Sequence, residues 1–123
     1  MGLKDKFKKI RDNYVINQVA KAKLPKFKED ILKRYRIRFS GRVQKVGFRL
    51  EVSELAKRLG LTGYCKNLDN GDVLAELQGT DEKINYLISF MESLTRIKIR
   101  NKVVEPLEVN NEEKEFLTIK EKK

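Results

Sequence analysis

The residues with most chemical promise lie between Gly41 and Arg49, where the chain reads GRVQKVGFR. This is a short stretch with glycines near both ends. It leads into a helical pattern that opens with an arginine beside an aromatic, Phe48. Backbone N–H groups at the start of a helix have no intrahelical partner and attract anions. The amides of Gln44, Lys45, Val46, Gly47, Phe48 and Arg49, gathered in one turn, can therefore cradle a phosphate. The Arg49 guanidinium can grip two of its oxygens at once, a planar geometry that lysine does not reproduce. Arginine is slightly unfavourable at a helix start unless it meets negative charge, and a bound anion accounts for its presence. The plain alternative is that Gly41 and Gly47 only let the chain turn while Arg49 is solvated.

Asn67 is the second candidate. It falls in a strand pattern beside the first strand, from which a carboxamide can hold a water; taken alone, such a residue is more often a turn or surface residue. Cys65 shares its alternation parity and has no neighbour but Lys66 to lower its pKa, so it reads as an inert, half-buried thiol. Asp69 and Asp72 flank a hairpin tip and read as solvated turn residues. Tyr64 and Phe48 read as packing against the sheet, since an RNA-binding sheet presents exposed aromatics on adjacent strands. The chain has no histidine, which excludes His-based general base catalysis, Ser-His-Asp and Cys-His arrangements and most catalytic zinc sites. Any reaction here must be an easy one, or one carried by electrostatics and position.

The elements that would position these groups follow from periodicity. YRIRFSGRV alternates at Tyr35, Ile37 and Phe39 and predicts a half-buried strand. A helix follows through Leu50, Val52, Leu55, Ala56 and Leu59, with Gly60 as its stop. Asn70-Gly71 marks a hairpin between TGYCKNL and a strand alternating at Val73, Ala75 and Leu77. Thr80 or Asp81 caps a second helix with Ile84, Leu87, Ile88, Met91 and Leu94 on its buried side. A strand follows near Val103 to Val109, with Ile97 and Ile99 beginning it or leading to it. Pro106 places that strand at an edge or a bulge. A last short strand runs through Phe116 and Thr118 towards a charged, frayed end. The order is βαββαβ with an extra C-terminal strand. It predicts an α+β, two-layer, ferredoxin-like sandwich with two helices on one face of a mainly antiparallel sheet.

The 123 residues suit one domain, or a domain of about 85 residues with an attachment. The boundary is expected at residues 1–34 and 35–123. Apolar residues make up 40% and charged residues 37%, enough for a modest core and too much charge for a spanning protein. No apolar run is long enough to span a bilayer, no secretory signal is visible, and one cysteine allows no internal disulfide. A cytosolic setting is the default expectation.

The net charge of +10 is uneven: residues 1–38 hold 13 Lys/Arg against 4 Asp/Glu, and the remainder 15 against 14. Phe7, Ile10 and Tyr14 predict a short amphipathic helix flanked by lysines. Phe27, Ile31 and Tyr35 suggest a second helical stretch after Pro25. Residues 1–34 then read as one or two helices docked on the domain, as a mobile basic arm for nucleic acid or an acidic partner, as an overextended start, or as a membrane-surface helix.

Two stretches resemble the acylphosphatase family. GRVQKVGFR, residues 41–49, is similar to a family pattern Gly-x-Val-Gln-Gly-Val-x-Phe-Arg. GYCKNLDNGDVLAELQG, residues 63–79, places Gly63, Tyr64, Asn67, Gly71, Val73 and Gly79 where the family has its second signature. The likeness covers roughly residues 35–120. It implies a small cytosolic hydrolase that cleaves the carboxyl–phosphate bond of acyl phosphates by in-line attack of water, as a monomer without metal or cofactor. The amides of Gln44 to Phe48 and the Arg49 side chain would bind the phosphoryl group, and Asn67 would orient the water. Two departures stand out: Lys45 occupies the place of the family's second glycine, and Phe39 replaces a smaller aliphatic. The alternative is a non-catalytic phosphate- or nucleic-acid-binding module that uses the basic N-terminal extension.

Overall fold

The computed structural model describes residues 2–120; the charged end at residues 121–123 lies outside them. The elements in order are α1 (Leu3–Lys21), β1 (Lys33–Arg42), α2 (Phe48–Leu59), β2 (Thr62–Asn67), β3 (Val73–Gly79), α3 (Asp81–Ser93), β4 (Lys98–Leu107) and β5 (Phe116–Ile119). The five strands form one sheet in the order β4-β1-β3-β2-β5. All pairings are antiparallel except β2 with β5, which is parallel. This is the α+β ferredoxin-like sandwich with its extra C-terminal strand.

The period-2 patterns bury Ile37 and Phe39 of β1, Cys65 of β2 and Val73, Ala75 and Leu77 of β3 against α2 and α3. The helices answer with Val52, Leu55, Ala56 and Leu59, and with Ile84, Leu87 and Met91. Phe39 fills the space under the start of α2, its ring 5.0 Å from that of Phe48. Thr80 caps α3 by accepting from the Lys83 N–H, and the chain leaves α2 through Gly60 in the left-handed region. Pro106 sits in β4, an edge strand of the sheet, where its missing N–H breaks no ladder.

Helix α1 docks on α2. Val15 and Val19 are buried, and Arg58 of α2 donates to the carbonyls of Val19 and Ala22, closing the end of α1. The second helical stretch expected around Phe27, Ile31 and Tyr35 does not form. Residues 22–32 carry no helix or strand. Phe27 instead packs edge-on against Tyr86 of α3 at 5.6 Å, Ile31 is exposed, and Tyr35 lies in β1 with its hydroxyl donating to Asp81. This stretch must run from the end of α1 to the start of β1. Pro25, which supplies no N–H, and packing on α3 hold it in an irregular path.

A buried ion pair network fixes β5. Arg34, almost fully enclosed, donates to Glu76 of β3 and Glu113, while Gln78 binds the Asn110 carbonyl and N–H. The loop after β4 is thereby stitched across the outer sheet face, and β5 is delivered beside β2.

Candidate functional site

The site is assembled where β1 gives way to α2. A bulge at Ser40/Gly41 shifts the register of β1 on β4, with Gly41 and Arg42 still paired to Ile99 and Lys98, and residues 43–47 turn into the first helical residue, Phe48. Among the described residues, none of the amides of Gln44, Lys45, Val46, Gly47 and Phe48 donates to a protein group. The first intrahelical bond runs from the Glu51 N–H to the Gly47 carbonyl. A row of uncommitted donors thus ends at the positive pole of α2.

Two clamps hold the row. The Gln44 side chain donates to the carbonyls of Leu68 and Asp72, each at 2.8 Å, and ties the turn to the β2–β3 hairpin. Arg96 donates its Nε to the Val46 carbonyl at 2.6 Å and its Nη2 to Glu51. In a trans peptide C=O and N–H point in opposite directions. Fixing the Val46 carbonyl on Arg96 therefore aims the Gly47 N–H the other way. Glu51 is fully buried on the apolar face of α2, and one of its oxygens has no partner among the described residues. Burial raises its pKa above the usual value; the Arg96 contacts oppose the rise.

The backbone between the clamps is strained. Lys45 has φ +63, the one non-glycine residue with positive φ among those described. Where glycine is at ease, a side chain costs about 1–2 kcal/mol. Lys45 is exposed and makes no hydrogen bond or ion pair. Gly47 is also left-handed, φ +80, and a Cβ there would lie 3.3 Å from both Arg11 Nε and Val15 Cγ2. Glycine at this position thus serves the turn and the seat of α1 together.

Arg49 projects from the first turn of α2. Its Nη1 donates to the Ile119 carbonyl of β5 at 3.0 Å. Ile119 pairs with Lys66, the residue before Asn67. Its positive charge also reaches Cys65, where it pulls against the burial that pushes the thiol up to about 12. Asn67 ends β2 and shares the parity of Cys65, which faces the helices. The fold therefore brings Arg49, the amide row and the end of β2 together on the helix side of the sheet. Cys65 is fully buried, beyond the half-burial expected for it.

Eighty-odd residues in this arrangement match a known pattern. The acylphosphatase family model matches residues 35–118. The chain belongs to the acylphosphatase family. It is 37% identical over 86 residues to the acylphosphatase of Geobacillus kaustophilus, an alignment covering 69% of this chain and 92% of that one. Against the acylphosphatase of Picrophilus torridus it is 45% identical over 60 residues, 49% of this chain and 74% of the other. Two solved structures, of acylphosphatases from Bacillus subtilis and Coxiella burnetii, superpose with TM-scores of 0.66 and 0.65 at 27% and 29% identity. They cover 73% and 72% of this chain and 100% and 93% of their own. Family membership makes this protein a hydrolase of the acyl-phosphate bond. Helix α1 precedes the matched region.

Sequence reasoning missed Glu51, Arg96 and Arg11. Glu51 had a signal, a carboxylate on the stripe Phe48–Val52–Leu55 where only apolar residues are expected. Arg96 and Arg11 had none, because each meets the turn only through tertiary packing. A hollow of about 460 Å³ lined by Arg36, Arg38, Tyr64 and Lys66 lies on the outer sheet face, away from the amide row. No group of three or more His, Cys, Asp or Glu placed to hold a metal occurs among the described residues, and no described helix is long and apolar enough to cross a membrane.

Proposed function

We propose that the amides of Gln44, Lys45, Val46, Gly47 and Phe48, with the guanidinium of Arg49, hold the phosphoryl group of a small acyl phosphate, and that Asn67 orients the attacking water. Water oxygen attacks phosphorus in line, the bond from phosphorus to the acyl oxygen breaks, and the carboxylate departs with its electron pair. The water's proton passes to a phosphoryl oxygen of the substrate, leaving inorganic phosphate. A carboxylate is a good leaving group, so no general acid is required, which suits a chain with no histidine. The protein's tasks are positioning and stabilisation of the equatorial oxygens as charge redistributes. The catalytic unit in this reading is residues 35–123 together with Lys33 and Arg34, which the fold places in β1, acting as a monomer in the cytosol, with residues 1–32 appended.

The observation that carries this reading is the row of uncommitted amides running into the N-terminus of α2, with Arg49 one residue beyond. Turnover of acetyl phosphate is the test. Replacing Arg49 or Asn67 by Ala is expected to lower kcat/KM by about 10²–10³-fold or more, the cost of one oxyanion donor. Arg49→Lys should recover little. Folded Arg49→Ala protein with wild-type turnover would overturn the assignment.

A further inference from the structure

Helix α1 has a second apolar face that none of the described residues covers. Leu3, Phe7, Ile10 and Tyr14 are between 58% and 69% exposed. Residues 2–10 are exposed at every position, so the first turns project past the domain before Val15 and Val19 seat the rest on α2. The four side chains follow spacings of four, three and four, which places them within an arc of about 60°. That is the narrow seam of a coiled coil, about 16 Å long at the rise of a helix. Asn17 and Lys21 continue the same register into a groove of about 680 Å³ between α1 and the end of α3, where Phe90, Ser93 and Leu94 form the far wall.

We infer that this seam and groove receive an amphipathic helix of a partner protein whose own apolar seam is flanked by Asp or Glu. The flanking positions decide the occupant. Lys4, Lys6 and Arg11 border the seam, while Asp5 and Asp12 lie round the back of the helix, where Asp5 accepts from the Gly2 N–H and Asp12 pairs with Arg11. A second copy of this chain would set Lys and Arg against Lys and Arg in either orientation, which is repulsive. A helix lying on a lipid surface needs a broad apolar face; this seam is narrow, and the neighbouring side of α1 is already spent on α2. A nucleic acid would use the lysines and leave four apolar side chains unexplained. An acidic helix satisfies charge and seam together, in the helix-in-groove manner.

The test is titration of the full chain with a fluorescent helical peptide of about 21 residues, three heptads, carrying Leu at the seam and Glu beside it. Saturable binding is expected, with amide shift changes confined to residues 3–21 and to Phe90 and Leu94. The same peptide with Lys for Glu should bind at least about tenfold more weakly. Phe7→Glu/Ile10→Glu should weaken the acidic peptide by a similar factor. Both residues are exposed and neither packs in the core cluster, so acetyl phosphate turnover should be unchanged. Lys4→Glu/Lys6→Glu, which keeps the apolar seam, should reverse the preference towards the Lys peptide. Indifference to peptide charge, or failure of the reversal, overturns the proposal. So does tighter binding to phosphatidylserine vesicles or single-stranded RNA, or self-association by sedimentation velocity in place of peptide binding.

Discussion

Replacing Arg96 by Met is the sharpest probe of how the amide row is held. Arg96 bonds both the Val46 carbonyl and Glu51. The substitution leaves a fully buried carboxylate without its partner, which costs about 3–5 kcal/mol; Arg96 keeps 22% of its side chain in water, so the lower end applies. Losing about 3 kcal/mol is a large share of a domain's total stability. The catalytic effect has a different origin. Once the Val46 carbonyl is released, the hydrogen bond that orients the Val46–Gly47 peptide is gone and the Gly47 N–H can swing. Lys45, held at φ +63 between the Gln44 and Val46 clamps, can also relax. The loss in kcat/KM is expected to approach that of one oxyanion donor, about 10²-fold. Urea denaturation and acetyl phosphate turnover separate the two effects. Glu51→Leu/Arg96→Met should regain most of the stability, because an apolar pair replaces the ion pair, yet remain slow. Wild-type kcat/KM in folded Arg96→Met protein would refute the idea that this carbonyl clamp sets the cradle.

Lys45→Gly should stabilise the fold by about 1 kcal/mol in urea denaturation by relieving the left-handed lysine; no gain means the strain is absent in solution. Glu51 titrates with a raised pKa, so the folded protein binds that proton more tightly than the unfolded chain. Its contribution is therefore fully present below the ordinary value of 4.5 and lost as pH rises through the folded value. Glu51→Gln should flatten the stability profile over that window, and an unchanged profile would count against it. Cys65, buried and pushed up to about 12, should resist a thiol reagent until the protein unfolds; rapid labelling of native protein contradicts this placement. Removing residues 1–22, which leaves β1 and Arg34 intact, uncovers the α2 surface that Val15 and Val19 cover and should destabilise the remainder by about 3 kcal/mol or more, while the folded fraction keeps acetyl phosphate turnover. An undiminished melting temperature would show that α1 does not dock.

Much of this protein was legible along the chain because its signals are local. Alternation at Ile37 and Phe39, the Asn70-Gly71 turn, the Thr80 cap and the Gly60 stop each involve neighbours in sequence. They gave the βαββαβ order, while Gly41 and Arg49 bracketed the turn. The second helix expected after Pro25 failed because Phe27 found a better partner in Tyr86, 59 positions away, and no periodicity records that preference.

Residue types and spacing by themselves determined which chemistry was excluded, which turn offers backbone donors ahead of a helix, and which family pattern the chain matched. Only the folded chain decided how those donors are aimed. The Val46 carbonyl is turned aside by Arg96 from beyond α3, the turn is tied to a hairpin by Gln44, and Arg49 is steadied by a carbonyl of β5. It also decided that Lys45 takes up a glycine's conformation and that α1 leans on Gly47. The reason is physical: a hydrogen bond or a close approach depends on distance in space, and residues such as 46 and 96 meet only after the sheet has closed the chain between them.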